Sequence, residues 1–219
     1  MKKILVLGAG GHAKVVVDLA RKAAFDVVGI LDDFRQLGTD FCGAKILGKF
    51  SDLPDVCKQK KVSSGVIAIG DNHARSLVAQ QILTFMPSFS FVSLIHPSAT
   101  IGSDVSVGVG SVVMAGVVIN PATQIGKHVI LNTKSSVDHD GIVGDFASLA
   151  PGATLGGTVS VGSYSAVGLG ANVIHGVSIG AHTVIGAGSL INKAIPELVV
   201  AYGVPARVVR SRKAGEKYL

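Results

Sequence analysis

The sequence has no tryptophan, two cysteines and no long hydrophobic run. Cys42 and Cys57 show no metal-binding spacing and are too few for a disulfide framework, so we expect reduced thiols in a cytoplasmic protein. No segment approaches the roughly 20 apolar residues that a membrane span needs. The apolar run at 4–7 is too short for a signal peptide. These absences predict a water-soluble protein with no membrane partner.

Charged residues are also scarce, at 16% of the 219 residues, whereas glycine occurs 28 times. This composition is typical of a solenoid, because its many corners need residues that turn easily. The net charge is +6, but the basic residues are scattered along the chain rather than clustered. That distribution favours small anionic ligands, such as nucleotides and coenzyme A, over nucleic acid.

A six-residue repeat organises the second half of the chain. From 95 to 191 every sixth residue is Ile, Leu or Val without a break, and the next position is often glycine. This period is typical of a parallel β-helix, in which three sides of about 20 Å close a triangular coil. Residues one coil apart then stack in a dry interior. The pattern predicts three ladders, which begin Ile95–Val113–Leu131, Ile101–Ile119–Val137 and Val107–Ile125–Val143.

The first part of the chain alternates short β-branched runs with helical periodicity, which predicts a small parallel α/β domain of the Rossmann type. We predict strands at 2–7, 26–31, 43–48 and 65–70, and helices at 14–23, 51–60 and 72–85. The predicted organisation is an α/β domain at 1–92, a β-helix at 93–195 and a C-terminal tail at 196–219.

A glycine loop follows the first predicted strand. Gly8, Gly10 and Ala13 occupy the three positions of the fingerprint G-x-G-x-x-G/A, and Asp32 follows where a ribose-binding acid belongs. Because the domain is about half the size of a full dinucleotide fold, we expect a mononucleotide moiety with its phosphates at the helix N-terminus. The alternative is a tight turn that binds nothing.

His139 is the candidate general base. It lies two positions after the inward Val137, so its side chain should point out of the β-helix, and Asp138 and Asp140 flank it. A neighbouring carboxylate can orient an imidazole and raise its basicity. The alternative is a solvated surface histidine. The other histidines of the β-helix lie coils apart, so we predict no metal site.

Together these features resemble the sialic-acid and bacillosamine type of hexapeptide acyltransferases, which modify sugars of bacterial surface glycans. The resemblance covers essentially the whole chain. Its most specific parts are Gly-Gly-His-Ala-Lys at 10–14, Ile-Gly-Asp-Asn at 69–72, His139-Asp140, and Gly-Val-Pro-Ala-Arg at 203–207. It implies a left-handed β-helix, a homotrimer, acetyl-CoA between neighbouring subunits, and a nucleotide-linked amino sugar on the α/β domain.

The resemblance also implies roles for individual residues. His139 would be the base, and Asp140 would orient it. The residues expected to hold the nucleotide sugar are Gly10, Gly11, His12, Asp32, Asp33, Gly70 and Asn72. Those expected to hold acetyl-CoA are Ser148, Leu169, Ala187, Gly203, Pro205 and Arg207. Many relatives carry a second histidine at the place of Ser148, where a serine can donate a hydrogen bond but cannot titrate.

The expected function is acetyl-CoA-dependent N-acetylation of a nucleotide-linked 4-amino-4,6-dideoxy sugar, with UDP, dTDP and GDP all open as the nucleotide. Direct transfer is favoured because no thiol lies beside His139 in the repeat. An O-acetyltransferase acting on sialic acid or a related glycan would use the same base on a hydroxyl. An NAD-dependent oxidoreductase would use only the glycine loop. A structural solenoid would leave His139-Asp140 without a role.

Overall fold

A six-stranded sheet is the centre of the N-terminal domain in the computed structural model, which describes residues 1–218. The strands are β1 (Lys2–Leu7), β2 (Phe25–Leu31), β3 (Asp40–Phe41), β4 (Ala44–Gly48), β5 (Ser64–Ile67) and β6 (Ser90–Phe91). Their spatial order is β3-β4-β2-β1-β5-β6, and all neighbours are parallel except β3 and β4. The helices are α1 (Gly11–Lys22), α2 (Leu53–Lys60) and α3 (Asn72–Phe85), with a 3-10 turn at Phe50–Asp52. Within the described residues, no helix is both long and apolar enough to cross a membrane.

The predicted elements are present, with small shifts at their ends. The helix predicted at 72–85 agrees with α3, which begins after Asp71, whose carboxylate accepts from Ala74 N at 2.8 Å. The first helix begins at Gly11 rather than at 14, because the end of the glycine loop is already helical. The strand predicted at 65–70 ends at Ile67, since the carbonyls at 69–70 bind the Arg75 guanidinium instead of a neighbouring strand.

Three parallel sheets of two-residue strands form the faces of the β-helix. The first face is Leu94–Ile95, Val112–Val113, Ile130–Leu131, Ser148–Leu149, Ala166–Val167 and Val184–Ile185. The second face is Thr100–Ile101, Val118–Ile119, Ser136–Val137, Thr154–Leu155, Asn172–Val173 and Leu190–Ile191. The third face is Ser106–Val107, Gln124–Ile125, Ile142–Val143, Ser160–Val161 and Ser178–Ile179. The terminal hairpin (Val199–Gly203 and Ala206–Ser211) extends the first face.

The predicted ladders are confirmed, in a left-handed β-helix. Val113 pairs with Ile95 on one side and Leu131 on the other, and the other strands repeat this register. Ladder side chains from Val113 to Ile191 are at most 3% exposed. Ile95 and Ile101 are each 38% exposed, because the first coil has no coil beneath it. The interior is therefore a continuous aliphatic core that is open only at its N-terminal end.

From Ile101 to Ile185 the backbone turns at the third residue after each ladder position, where it enters the left-handed region. His128, Asp140, Phe146 and Tyr164 lie at such corners, with φ between 54° and 63°. The glycines directly after ladder positions have another cause: a Cβ on Gly126 would lie 2.7 Å from a backbone nitrogen of the next coil. Glycine directly after a ladder position therefore marks close approach of coils, whereas the left-handed corners hold polar and aromatic residues as well as glycine.

A column of stacked rings covers the corner between the third and first faces. His128, Phe146, Tyr164 and His182 stack in order, with ring centroids 4.9, 5.3 and 4.6 Å apart. Phe91 of β6 packs edge-on against His128 at 4.7 Å. The rings lie on the outside of the β-helix and are spaced one coil apart, like the ladder residues inside it. The column ends against Phe91 of the α/β domain.

Arg75 of α3 joins this column to the α/β domain. The side chain is 1% exposed. Its Nε donates to His128 O at 2.9 Å, and Nη2 donates to Phe146 O at 3.0 Å and to Asn72 Oδ1 at 2.7 Å. Nη1 donates to the two carbonyls at 69–70. Burial lowers the pKa of Arg75 to about 10, so it stays charged at neutral pH. All five donors are used, and they fix the two domains relative to each other.

His128 should make the stability of the protein depend on pH. Burial, and then the Arg75 charge and Lys127, lower its pKa from 6.5 to about 4 against the opposing effect of Asp145. The native ring therefore stays neutral while an unfolded chain takes up a proton, so stability is lost as pH falls from 6.5 towards 4. By linkage the loss reaches roughly 3 kcal/mol at pH 4. We expect His128→Phe, which keeps the ring stack, to lose less free energy of unfolding between pH 7 and 4.5 than the parent in urea denaturation.

The control is His175→Ala, which removes an exposed histidine on the same β-helix. This variant should keep the pH dependence of the parent. An equal fall in unfolding free energy for the parent and His128→Phe would show that the buried ring is not the source.

Candidate active site

His139 and Asp140 occupy the turn between the second-face strand Ser136–Val137 and the third-face strand Ile142–Val143. His139 Nδ1 lies 2.8 Å from Asp140 Oδ2. The left-handed backbone at Asp140, with φ of 57°, accompanies this contact between adjacent side chains. The two side chains are 58% and 59% exposed, so the ring points out of the β-helix as predicted.

The contact with Asp140 prepares the His139 ring to accept a proton. The hydrogen bond to Asp140 raises the pKa of His139, and the Asp138 charge adds to this effect. Because the carboxylate accepts from Nδ1–H, the lone pair of the neutral ring is on Nε2. Among the described residues Nε2 has no hydrogen-bond partner. This is the arrangement that a general base needs.

Asp138 has a different role from Asp140. Its Oδ1 accepts from His139 N at 2.8 Å and from Asn120 Nδ2 at 2.6 Å. The Asn120 hydrogen bond, followed by the His139 backbone N–H, lowers the pKa of Asp138. Of the two flanking carboxylates, Asp140 orients the ring, and Asp138 fixes the backbone that carries it.

Gly157 gives the His139 ring its space. It lies one coil further along the β-helix, and Thr158 N donates to His139 O at 2.8 Å. A Cβ on Gly157 would lie 2.5 Å from His139 Nε2 and 2.7 Å from Cε1. The φ of Gly157 is not in the left-handed range, so the glycine serves the ring and not a special backbone conformation.

A cavity of about 370 Å³ lies at the carboxyl ends of β1, β2 and β5, the edge where parallel sheets bind nucleotides. The predicted residues Gly10, Gly11, His12 and Gly70 are part of its lining, together with Asp32 and Asp33. The N-cap of α1, Gly10, provides no side-chain hydrogen bond, so the first N–H groups of the helix are available to an anion. We call this the nucleotide cavity.

Asp32 and Asp33 both line the nucleotide cavity but differ in availability. Asp32 is 9% exposed, and its carboxylate accepts from Ala9 N at 2.7 Å and from the N–H groups of Phe34 and Arg35 at 3.0 Å. Asp32 thus organises the two loops around the cavity. Asp33 is exposed, and only its Oδ1 is engaged within the described chain, by a backbone N–H at 2.9 Å.

A second cavity, of about 730 Å³, lies between the α/β domain and the first face. We call it the junction cavity. The predicted residues in its lining are Gly11, His12, Gly70, Ser148, Leu169 and Ala187, and Tyr218 of the tail joins them. Gly11, His12 and Gly70 line both cavities. The structure therefore brings predicted nucleotide-sugar and acetyl-CoA residues together around connected spaces.

His12 lies where the two cavities meet. Burial, with a contribution from the Arg75 charge, lowers its pKa to about 4, so the ring is neutral at pH 7. Within residues 1–218 its buried Nε2 has no hydrogen-bond partner. Buried polar groups are nearly always paired, so this atom is suited to a ligand rather than to the protein. Across the described part of the chain, no group of three or more His, Cys, Asp or Glu side chains could hold a metal ion.

Asn72 is the one predicted nucleotide-sugar residue that lines neither cavity. It is 1% exposed, and its Nδ2 donates to Tyr164 O at 3.3 Å and to Ser165 O at 3.1 Å. Its Oδ1 accepts from Arg75. The amide is committed to the domain junction, so we assign Asn72 to that junction.

Three predicted acetyl-CoA residues also lie outside the cavities. Gly203, Pro205 and Arg207 belong to the terminal hairpin, beyond the last coil. The Arg207 guanidinium donates to Ala206 O at 2.8 Å and makes no ion pair among the described residues. The hairpin extends the same face that lines the junction cavity. Its residues are therefore displaced from that cavity along the β-helix axis.

The sequence-based site omitted Arg75, Gly157, Phe34 and Tyr218. The position of Phe34 directly after Asp32 and Asp33 could have indicated a role in the cavity, whose lining it joins. No spacing rule pointed to the others. Arg75 hydrogen-bonds to groups of the other domain, and Gly157 makes room for a ring one coil away. Tyr218 reaches the junction cavity because the tail folds back.

His139 and the junction cavity lie on different parts of one chain. His139 lies at the corner between the second and third faces, whereas the junction cavity lies on the first face. His139 is not in the lining of either cavity. A single β-helix therefore presents the two halves of the predicted site on different sides.

Known proteins share both domains of this chain. The family model described as the PglD N-terminal domain matches residues 3–82. GDP-perosamine N-acetyltransferase of Escherichia coli O157:H7 is 30% identical over 163 residues, which are 71% of each chain. UDP-N-acetylbacillosamine N-acetyltransferase of Bacillus subtilis is 35% identical over 118 residues, and the match spans about half of each protein, 52%.

A solved structure extends the similarity to nearly the whole chain. It is a histidine-to-alanine mutant of GDP-perosamine N-acetyltransferase from Caulobacter crescentus, in complex with CoA and GDP-perosamine. The two chains are 37% identical, the match covers 96% of this chain and 98% of the other, and the TM-score is 0.91. Because these matches extend over both domains, the chain belongs to the family of nucleotide-aminosugar N-acetyltransferases.

Proposed function

We propose that the protein transfers the acetyl group of acetyl-CoA to the amino group of a nucleoside-diphosphate-linked 4-amino-4,6-dideoxy sugar. The observation that carries this proposal is the His139–Asp140 pair, 2.8 Å apart, on an exposed side chain whose Nε2 has no hydrogen-bond partner among the described residues. The family relationship supplies the substrate class, since relatives bind CoA and GDP-perosamine or are named as acting on a UDP-linked amino sugar.

In the proposed reaction the amine attacks the thioester carbonyl carbon directly. The nitrogen forms the new C–N bond as its proton passes to His139 Nε2, and the C–S bond then breaks to release CoA. Asp140 stabilises the imidazolium that results. Neither cysteine lies in the β-helix, so no acyl-cysteine intermediate is invoked. The proton on the ring can return to the leaving thiolate.

The two cavities suit the two substrates. The nucleoside diphosphate would occupy the nucleotide cavity, with its phosphates at the N-terminus of α1 beside Gly10 and Gly11. The sugar would pass His12 into the junction cavity. Acetyl-CoA would lie along the first face past Leu169 and Ala187, with its polar end towards the terminal hairpin and Arg207. Ser148 would then be a neutral hydrogen-bond partner near the reacting groups.

We also propose that the active form is a homotrimer. Because His139 lies on a different side of the β-helix from the junction cavity, one chain cannot bring its own base to the sugar in its own cavity. A three-fold arrangement would place the His139 corner of one copy against the first face of the next. The complete site would then form three times, between copies.

O-acetylation of a hydroxyl by the same base is the remaining alternative chemistry. It would use the same His139–Asp140 pair, but it would not need a nucleotide on the α/β domain. The nucleotide cavity favours the nucleotide-linked amino sugar. Thiol release from acetyl-CoA, measured with nucleotide-linked 4-amino sugars and with free sialic acid, separates the two reactions.

Loss of the base should lower turnover without affecting substrate binding. We expect His139→Ala to lower kcat by on the order of 100-fold, because a positioned proton acceptor typically contributes this much. The KM values should change little, since both substrates are held elsewhere. Thiol release under saturating substrates is the measurement.

The pH profile distinguishes a base from a merely structural histidine. Asp140 raises the pKa of His139, so the rate should fall as pH drops below that raised pKa and the ring becomes protonated. Asp140→Asn should move this acidic limb to lower pH and cost less than His139→Ala. Near-normal turnover by a correctly assembled His139→Ala enzyme would exclude the mechanism.

Gly157→Ala should displace the His139 ring, because the added methyl group would fall 2.5 Å from Nε2. We expect kcat to fall about tenfold or more, since a small misplacement of a catalytic group is costly. A double-mutant cycle provides the control. In a His139→Ala background the ring is absent, so Gly157→Ala should cost nothing further. Additive losses would mean that Gly157 acts independently of the ring.

Gly11→Val should block nucleotide-sugar binding without disturbing the fold. No atom of residues 1–218 lies within 4 Å of a Cβ built on Gly11, and its φ is not left-handed, so the side chain would extend into open space in the cavity lining. The KM for the nucleotide sugar should rise at least about tenfold, because the ligand needs close approach to the backbone. The KM for acetyl-CoA should rise less, although Gly11 also lines the junction cavity.

The same variant tests the shared site. Gly11→Val and His139→Ala should each be poorly active alone. Trimers that are reassembled from a mixture should regain activity, because an intact cavity of one copy can meet an intact base of its neighbour. If mixing restores no activity in confirmed mixed trimers, the site lies within one chain.

A further inference from the structure

Phe34 is almost fully exposed at the nucleotide cavity. The side chain is 97% exposed, yet it belongs to the cavity lining with Asp33 and the glycine loop. A single exposed hydrophobic residue needs no special explanation on an ordinary surface. At the rim of a cavity that is suited to a nucleotide, an aromatic face in water is a surface on which a base can stack.

The backbone below this ring is held in place. Asp32 Oδ1 accepts from Phe34 N and Arg35 N at 3.0 Å, and Oδ2 accepts from Ala9 N at 2.7 Å. One buried carboxylate thus ties the Phe34 loop to the glycine loop. The Arg35 guanidinium lies 5.7 Å over the Phe41 ring, so it packs against another part of the domain. Phe34 is therefore presented from a fixed position relative to the phosphate end of the cavity.

Asp33 provides polar recognition next to the ring. Its Oδ1 accepts from Phe50 N at 2.9 Å, which orients the carboxylate. Its other oxygen has no hydrogen-bond partner among residues 1–218, and the residue is exposed at the cavity. An ionised carboxylate only accepts hydrogen bonds, and one such bond leaves most of its lone pairs unused. The group is therefore suited to a ligand edge that carries N–H donors.

We propose that Phe34 stacks on the nucleobase and that the Asp33 carboxylate accepts hydrogen bonds from the edge of the base, so that the enzyme selects a guanosine diphosphate sugar. This inference rests on the proposed function and adds the identity of the base. Guanine presents two neighbouring donors, N1–H and the exocyclic N–H, to a carboxylate. Uracil and thymine present one N–H between two carbonyl oxygens, which a carboxylate repels. The larger purine also covers more of the Phe34 ring.

Equilibrium binding of GDP, UDP and dTDP by calorimetry tests the inference on the whole protein. GDP should bind more tightly than the two pyrimidine nucleotides. Phe34→Ala should weaken GDP binding about tenfold, within the range measured for removing an aromatic stacking partner. Phe34→Tyr should restore it, because the flat ring returns. Leu37→Ala is the matched control, since Leu37 is also exposed, lies in the same loop and is outside the cavity lining.

Asp33→Asn separates the carboxylate from the ring. The amide oxygen can still accept from Phe50 N, so the local fold should persist. GDP binding should weaken, while UDP and dTDP binding should not, and the preference for GDP should shrink. Tighter binding of UDP than GDP, or GDP binding by Phe34→Ala at the affinity of the parent, would overturn the inference. Binding of none of the three nucleotides would instead count against a nucleotide-linked substrate, and therefore against the proposed function itself.

Discussion

The stacking of each coil on the next one is the constraint on which the rest of this structure depends. Every two-residue strand hydrogen-bonds to its counterpart one coil away, and the ladder side chains stack in the same register. This register is exact because a shift by one residue would turn the aliphatic side chains outwards. Side chains at the corners therefore also repeat at the spacing of one coil. This spacing places Gly157 of the next coil against the His139 ring, and it stacks His128, Phe146, Tyr164 and His182 into one column.

The corners combine a structural requirement with the chemistry of the site. The backbone there must enter the left-handed region, which aspartate accepts more readily than most residues. Asp140 meets that requirement and also hydrogen-bonds to the ring that precedes it. The His139 ring is thus held by local geometry on a rigid scaffold, although it is exposed. Such a site loses little conformational freedom when substrate arrives, because the support comes from the neighbouring coil and not from a mobile loop.

The junction between the domains depends on a buried charge. Arg75 gives all of its donors to carbonyl groups and to Asn72, so it holds the 69–70 loop and two corners of the β-helix in one arrangement. A buried cation is stable only when it is fully hydrogen-bonded, which makes this geometry all-or-none. The two cavities share His12, Gly11 and Gly70 next to this junction. The orientation of the domains and the connection between the cavities therefore depend on the same contacts.

By itself the sequence determined the repeat, its three ladders, the alternating α/β elements, the outward direction of His139 and the presence of a glycine loop. These follow from strict periodicities and from short-range turn chemistry, which the order of residues contains. The tertiary structure confirmed that Asp140 touches His139. It decided that Asp32 is occupied by backbone N–H groups while Asp33 is available, and that Asn72 belongs to the junction. It also brought Arg75, Gly157 and Tyr218 to the site from distant positions. Those outcomes depend on which groups meet across coils and domains. Residues far apart in the chain compete for the same hydrogen-bond partners, and that competition leaves no periodic signal in the sequence.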